Sequence, residues 1–144
     1  MVKNNHTTMT YSETINYLFN STPLFQNVGK DAYKEGLENT HLLDEHFGHP
    51  HCRFKTIHVT GTNGKGSVSN MLASCLAASG LKVGLYTSPH ILDFRERIRI
   101  VTDESYMLIP KEDVWSFIGQ WQDTFDHLDM SFFEITTLLA LSWF

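Results

Sequence analysis

The chain has 144 residues, of which 42% are hydrophobic and 19% are charged, and its net charge is −5. This length supports one ordinary domain, and the composition is typical of a globular protein and not of a disordered one. Proteins that bind nucleic acids usually have a basic surface, and a net charge of −5 does not indicate one. No nucleic-acid partner is therefore expected.

The sequence also bears on the location of the protein. The first ten residues, "MVKNNHTTMT", contain no apolar stretch of the kind that a secretory signal needs. The longest apolar run, "ITTLLALSWF" (135–144), is about half the length of a membrane span and predicts a buried helix. Only Cys52 and Cys75 are present, which suits a reducing compartment. A cytoplasmic protein without a membrane segment is therefore expected.

Two helices are predicted in the first third of the chain. A capping box, Thr10-Tyr-Ser-Glu13, opens the first helix, and "NSTP" (20–23) ends it. Its apolar positions follow helical spacing: Tyr11, Ile15, Leu18 and Phe19. The second helix is predicted over residues 31–47, ending at Gly48.

The central segment predicts a strand, a glycine loop, a helix and a second strand. "KTIHVT" (55–60) is the first strand and "KVGLYT" (82–87) is the second. Between them lies an apolar helix stripe that Gly80 closes: Val68, Met71, Leu72, Cys75, Leu76 and Ser79. This order is a βαβ unit, which favours neighbouring parallel strands.

One strand and two helices are predicted in the last third. "RIRIV" (97–101) alternates as a half-exposed strand. A helix begins just after Pro110, and its apolar positions are Val114, Phe117, Ile118, Trp121 and Phe125. Ser131 and Glu134 form the capping-box pattern of an apolar final helix. The predicted fold class is α/β.

The stretch "HVTGTNGKGS" (58–67) carries the clearest chemical signal. Val59 stands where the common phosphate-loop pattern has its first glycine, and Gly66 stands where it has a magnesium-binding hydroxyl. That departure disfavours an ordinary phosphate-loop kinase or ATPase. Glycines between a strand and a helix still let backbone N–H groups converge, and the helix N-terminus and Lys65 add positive charge that suits nucleotide phosphates. The alternative is a tight turn without a ligand.

Three stretches in order, "HVTGTNGKGS", "GLKVGLYTSPH" and "FRERIRI", resemble the N-terminal part of folylpolyglutamate synthase and dihydrofolate synthase. These enzymes are ATP-dependent ligases related to the Mur ligases. The resemblance implies a P-loop-type parallel sheet flanked by helices, in which residues 1–144 form an incomplete N-terminal part of the Mur-ligase-like ATP-binding domain. The rest of that domain and the C-terminal glutamate-ligase domain would be absent.

The resemblance also implies a reaction. ATP phosphorylates a carboxylate of dihydropteroate or of the glutamate tail of a reduced folate, and the amine of L-glutamate then attacks the acyl phosphate. ATP and magnesium (Mg2+) are the implied cofactors, and the parent enzyme is expected to be a monomer. The 144-residue piece is expected to be inactive alone. The alternative is a nucleotide-binding or structural piece without turnover.

Residue roles follow from the same resemblance. The ATP phosphates would be held by one loop: Gly61, Thr62, Asn63, Gly64, Lys65, Gly66 and Ser67. Ser88, in the Thr-Ser-Pro motif, would be a magnesium ligand, or else a turn serine held by Pro89. Ser131 and Phe133 match a pteridine-contacting segment, although Ser131 is also a capping residue and Phe133 a candidate core residue.

Three charged residues stay open between functional and structural roles. The capping box explains Glu134 without any ligand. The alternation of "FRERIRI" (94–100) places its charges mostly on one face of a strand. Arg95 or Arg97 could nevertheless meet an anionic substrate tail.

The segment "HFGHPHC" (46–52) raises the question of zinc. It brings His46, His49 and His51 near Cys52 in the sequence. The spacing matches no common structural zinc pattern, and no second ligand pair follows, so an exposed turn is predicted.

The last residues predict an unfinished fold. The apolar final helix has no capping glycine and no polar tail. We expect an incomplete sheet and exposed apolar surface formed by the following side chains: Leu138, Leu139, Leu141, Trp143 and Phe144.

Overall fold

The computed structural model describes residues 9–20 and 38–144. These residues fall into two compact units, one made of 9–20, 38–50 and 111–142 and the other of 51–110 and 143–144. The elements in chain order are α1 (Tyr11–Asn20), α2 (Glu38–His46), a 3₁₀ turn (Pro50–Arg53), α3 (Lys65–Ala78), β1 (Val83–Tyr86), a second 3₁₀ turn (Phe94–Arg97), β2 (Ile98–Val101), β3 (Tyr106–Leu108), α4 (Lys111–His127) and α5 (Phe132–Trp143). The fold is therefore a mixture of helices and strands, as predicted.

The first unit is helical, and the local signals that predicted its helices are confirmed. Glu13 accepts a hydrogen bond from the Thr10 backbone at 2.7 Å, and the Thr10 hydroxyl accepts one from the Glu13 backbone at 3.3 Å, which completes the capping box. α4 begins directly after Pro110. Of the second predicted helix, the structure describes α2 from Glu38 onwards, and residues 31–37 lie outside the described part.

Apolar burial holds this unit together. α1 packs against α4, and the Tyr17 hydroxyl donates to the Asp126 carboxylate at 2.7 Å. The buried side chains of α1 and α4 include Leu18, Val114, Ile118 and Phe125. Such burial stabilises a fold by about 1.5–3 kcal/mol for each large apolar side chain.

The end of α5 differs from the prediction. Leu138 and Leu139 were expected to be exposed, but both are buried. The side chains of Leu141, Trp143 and Phe144 are half-buried. The expectation was wrong for the two leucines because they lie on the buried face of α5, together with Ile135 and Ala140, and this face is part of the core.

The second unit contains a three-stranded sheet in the order β1-β2-β3, and both pairings are antiparallel. β1 and β2 were predicted, but β3 was not. A short turn joins β2 to β3, where the Thr102 N–H donates to the Ser105 carbonyl at 2.8 Å. No parallel pair of strands occurs in residues 9–20 or 38–144, so the predicted βαβ pairing is not seen.

The predicted strand at 55–60 is absent from the structure. These residues form no regular element and are mostly exposed, with Ile57 among the exposed hydrophobic side chains. The prediction failed because a strand exists only where a neighbouring strand pairs with it, and β-branched residues alone do not supply that neighbour.

Helix α3 packs against the sheet through small side chains. Ala73 and Ala77 are its buried residues, and α3 contacts both β1 and β2. The Gly80 N–H donates to Ala77 and the Leu81 N–H to Leu76, which is the Schellman pattern expected of a closing glycine with φ 89°. The predicted apolar stripe lies on the other side and is exposed at Val68, Met71 and Leu72.

Candidate functional site

The glycine loop leads into the N-terminus of α3. Gly64 precedes the helix with φ 77°, a left-handed conformation that glycine adopts without steric cost. Because Gly64 has no side chain to cap the helix, the first backbone N–H groups of α3 are available to a ligand. These donors and the helix dipole favour an anion.

Lys65 lies folded back over the loop. Its ammonium group donates to the Gly61 carbonyl at 2.5 Å and to the Thr62 carbonyl at 3.1 Å. The side chain is exposed, and its positive charge is held at the end of the helix where phosphate binding is predicted. The loop therefore combines backbone donors with one charged donor, as a phosphate-binding loop requires.

A short chain of hydrogen bonds connects this loop to β2. Asn70, in the second turn of α3, donates to the Gly66 carbonyl at 2.7 Å. Arg99 of β2 donates from Nη2 to the Asn70 side-chain oxygen at 3.0 Å. The sheet thus supports the conformation of the loop through an asparagine that the sequence motif does not include.

The second predicted element, the Thr-Ser-Pro turn, follows β1. The Thr87 N–H donates to the Arg97 carbonyl at 2.9 Å, so the backbone pairing of β1 and β2 continues to the edge of this turn. Arg97 then holds the turn with its side chain, donating from Nη1 to the Ser88 hydroxyl at 2.7 Å and from Nε to the His90 Nδ1 atom at 2.8 Å. Ser88 itself is exposed.

The electrostatics of this turn follow from burial. Arg97 is only 4% exposed, and desolvation lowers the pKa of its guanidinium below the ordinary value. An arginine nevertheless keeps its charge at neutral pH. Burial first, and the positive charge of Arg97 second, lower the pKa of His90. His90 is therefore neutral at physiological pH, and its Nδ1 atom is the hydrogen-bond acceptor.

A neighbouring carboxylate shapes the loop between His90 and Arg97. Glu96 accepts hydrogen bonds from the backbone N–H groups of Ile91, Leu92 and Asp93 at 2.8, 3.0 and 2.8 Å. Backbone hydrogen bonds, first from Ile91 and then from Asp93 and Leu92, lower the pKa of Glu96. The apolar side chains of Ile91 and Leu92 point outwards and are almost fully exposed.

Arg95 has a different role from Arg97. It forms a salt bridge with Asp93, in which the Nη2 and Oδ2 atoms are 2.8 Å apart. Asp93 also accepts the Arg95 backbone N–H at 2.9 Å and caps the second 3₁₀ turn. Arg95 and Arg97, whose roles the sequence left open, thus both make contacts within the protein.

The predicted pteridine-contacting residues lie in the other unit, at the start of α5. The Ser131 hydroxyl donates to Glu134 at 2.6 Å, and the Glu134 N–H donates back to Ser131 at 3.3 Å. This capping box confirms the structural role of both residues. Phe133 is 59% exposed, so it is not a core residue, whereas its neighbour Phe132 is buried.

The histidine-rich segment forms local contacts. His49 lies 2.6 Å from the Asp44 carboxylate, and His51 lies 3.2 Å from the Cys52 sulfur. The ring of His46 packs edge-on against Trp121. Across residues 9–20 and 38–144, no three His, Cys, Asp or Glu side chains form a group that could hold a metal ion.

Sequence patterns missed the residues that support the site. Asn70 and Arg99 are separated by 29 positions, and Ser88 and Arg97 by nine, so no local pattern links them. The one available signal was the concentration of arginines in a segment that follows the Thr-Ser-Pro turn.

Comparison with known proteins identifies the family. A probable bifunctional folylpolyglutamate synthase/dihydropteroate synthase of Haloferax volcanii is 36% identical over 141 residues, which is 94% of this chain and 16% of that protein. Folylpolyglutamate synthase of Lacticaseibacillus casei is 48% identical over 92 residues, or 64% of this chain and 20% of that protein. The crystal structure of folylpolyglutamate synthase from Thermotoga maritima matches 93% of this chain and 30% of its own length, at 38% identity and a TM-score of 0.74.

This chain belongs to the folylpolyglutamate/dihydrofolate synthase family. It spans about a third or less of the length of the family members that it matches. No family model matches the sequence.

Two ligand complexes of this family are also similar in structure. A complex of folylpolyglutamate synthase with AMPPCP and folate has a TM-score of 0.74 at 35% identity, covering 94% of this chain and 32% of that one. An Escherichia coli protein in complex with DHPP and ADP has a TM-score of 0.70 at 27% identity, covering 93% of this chain and 30% of that one.

None of the helices in the described part of this chain is long and apolar enough to cross a membrane.

Proposed function

We propose that the chain is the nucleotide-binding part of an ATP-dependent ligase that adds L-glutamate to dihydropteroate, to the glutamate tail of a reduced folate, or to both. The observation that carries this proposal is the glycine loop, which combines open helix N–H groups, a left-handed Gly64 and the Lys65 ammonium. The AMPPCP, ADP, folate and DHPP in the two related complexes support the same substrate classes.

The loop from Gly61 to Ser67 would hold the ATP phosphates. In the described structure the Lys65 ammonium occupies two carbonyl acceptors, and a phosphate would offer it a stronger, charged acceptor. The reaction then proceeds in two steps. Transfer of the terminal phosphate makes the substrate carboxylate an acyl phosphate, and the glutamate amine attacks its carbonyl carbon and releases phosphate. The main task of the loop is to position and neutralise the phosphates.

Ser88 fits a magnesium ion that is held mostly by phosphates. A hydroxyl oxygen is the hard type of ligand that magnesium takes, and it has two lone pairs. Arg97 occupies one of them, so one remains for the ion. When bound, the ion neutralises the developing charge on the nucleotide phosphates.

Ser131 and Phe133 are proposed to contact the pteridine. The ring of Phe133 is exposed and could stack on a flat heterocycle. The Ser131 hydroxyl is already used by the capping box, which makes Phe133 the stronger candidate of the two.

We also propose that the parallel sheet is completed outside this chain. The exposed apolar face of α3 supports this view, and so does the run of strand-forming residues at 55–60, which pairs with no strand in the described part of the chain. The complete enzyme is proposed to be a cytoplasmic monomer, and this chain alone is proposed to be inactive. A second candidate function, nucleotide binding without turnover, follows from the same loop.

The test separates binding from turnover. Amide resonances of residues 61–67 are followed by NMR while magnesium and ATP are added to the chain. Lys65→Ala is expected to lose at least about tenfold in affinity, because it removes a charged hydrogen bond, and Lys55→Ala, an exposed lysine of the same unit, is the control. Unchanged affinity in Lys65→Ala would refute the phosphate-loop assignment.

Turnover is measured with ATP, dihydropteroate and labelled L-glutamate. We expect no product from this chain and glutamate addition by a longer protein that contains it. Product from the chain alone would contradict its proposed inactivity. Nucleotide binding without product in the longer protein would favour the second candidate function.

A further inference from the structure

The guanidinium of Arg97 makes an unusual pair of contacts. Its Nη1 atom donates to Ser88 and its Nε atom to His90, at 2.7 and 2.8 Å. Arg97 is buried, Ser88 is exposed and His90 is partly exposed. The buried cation thus lies behind two polar groups that face the outside of the same turn.

This contact fixes the direction of the Ser88 hydroxyl. Because Arg97 can only donate, the Ser88 oxygen must accept at that position. The hydrogen of the hydroxyl and its second lone pair then face away from Arg97, towards the exposed side. The hydroxyl hydrogen is thus excluded from the position that faces Arg97, and one oxygen lone pair is left for a ligand.

The same cation fixes the ring of His90. The Nδ1 atom accepts from Arg97, so the neutral ring carries its proton on Nε2. The ring also packs edge-on towards Phe94, with centroids 6.3 Å apart. One buried side chain thus contacts both polar groups of this turn.

Building on the proposed function, we propose that Arg97 is a positioning residue, which orients the Ser88 hydroxyl towards the magnesium-bound nucleotide. Its charge is compatible with this role, since the complex of magnesium with ATP is negative overall. We expect a lysine to replace it poorly, because all the donors of an ammonium lie on one nitrogen and do not reproduce the fixed geometry of the guanidinium fork.

The first test is spectroscopic and needs no ligand. The nitrogen resonances of the His90 ring are recorded in the wild-type chain, in Arg97→Met and in Arg97→Lys. We expect a ring protonated on Nε2 in the wild type and a mixture of the two neutral forms in both variants. A wild-type ring that is protonated on Nδ1 would overturn the proposal, because the Arg97 guanidinium could then not lie where it donates to both His90 and Ser88.

The second test measures ATP binding with and without magnesium in the 144-residue chain. In Ser88→Ala and in Arg97→Met, we expect the gain in ATP affinity on adding magnesium to be about tenfold smaller than in the wild type. ATP binding without magnesium should stay the same. The double variant is expected to lose no more than either single variant, because Arg97 acts through Ser88. Lys82→Met, an exposed lysine in the same unit, controls for the loss of one positive charge.

The outcomes separate this inference from the function on which it rests. Additive losses in the double variant, or an unchanged effect of magnesium in Arg97→Met, would overturn the role of Arg97. Full binding in Arg97→Lys would do the same, because charge alone would then suffice. If Lys65→Ala binds ATP as the wild type does, the proposed function itself fails. Amide spectra of each variant show whether its fold is retained.

Discussion

In the first unit the apolar stripe of α4 is buried, whereas in the second unit the apolar stripe of α3 is exposed. Ile118 of α4 has no exposed surface, but Met71 of α3 is 60% exposed. Both stripes follow the same helical spacing in the sequence. Spacing therefore identifies the apolar face of a helix but does not reveal what covers that face.

The second unit relies more on polar contacts. Glu96 accepts hydrogen bonds from three backbone N–H groups. Arg97 donates to Ser88 and His90, and Arg99 donates to Asn70. Such networks define the conformation of loops and add little apolar burial. This division matches the proposed roles, since a site needs loops of defined shape more than it needs a large core.

The largest effect is expected at the buried stripe. Ile118→Ala removes buried atoms from the interface of α4 and leaves a cavity, so we expect the free energy of unfolding to fall by about 2–5 kcal/mol. Urea unfolding followed by circular dichroism measures this loss. A loss below about 1 kcal/mol would mean that burial of the α4 stripe does not hold the first unit together.

Local patterns predicted the features that a few neighbouring residues decide. The capping boxes at Thr10 and Ser131 and the closing glycine of α3 are confirmed, because each depends on contacts within about one turn of helix. The glycine loop is also a local pattern, and the structure has a helix starting at Lys65 as predicted, but its phosphate-binding role stays a prediction.

Features that depend on distant partners were missed or wrong. The run at 55–60 has strand-forming residues but no paired neighbour in the described structure. Strand β3 was missed because it has only three residues, too few for alternation to be recognised. The role of Arg97 was left open, because its contact with Ser88 arises from the pairing of β1 with β2 and not from sequence spacing.

An effect of intermediate size is expected in the second unit, where a fall in pH should disrupt the hydrogen bonds of Glu96. Hydrogen bonds lower the pKa of Glu96 in the folded chain below its ordinary value of 4.5. The carboxylate therefore contributes stability above the pKa of the unfolded chain, and this contribution is lost as the pH falls through the lower, folded pKa. The backbone amides of Ile91, Leu92 and Asp93 should accordingly lose their hydrogen-bonded chemical shifts in a transition below pH 4.5.

Two variants distinguish this transition from general acid unfolding. Glu96→Gln should abolish the local transition, because the neutral amide does not titrate. Glu104→Gln removes a carboxylate from the exposed turn between β2 and β3 and should leave the transition in place. If the amides of 91–93 respond to pH in the same way in Glu96→Gln, the loop is not held by this carboxylate.

The smallest effect is expected at the exposed stripe of α3. Met71→Ala makes the same kind of truncation as Ile118→Ala, but most of the Met71 side chain already contacts water. The free energy of unfolding should change by no more than about 0.5 kcal/mol in this chain, as for other exposed positions. In a longer protein whose sheet covers α3, the same substitution should cost about 2–5 kcal/mol. A large loss in this chain would show that the face is already covered. If the loss in the free energy of unfolding grows with protein concentration, a second copy of the chain covers this face. If the loss does not depend on concentration, another part of the same chain covers it.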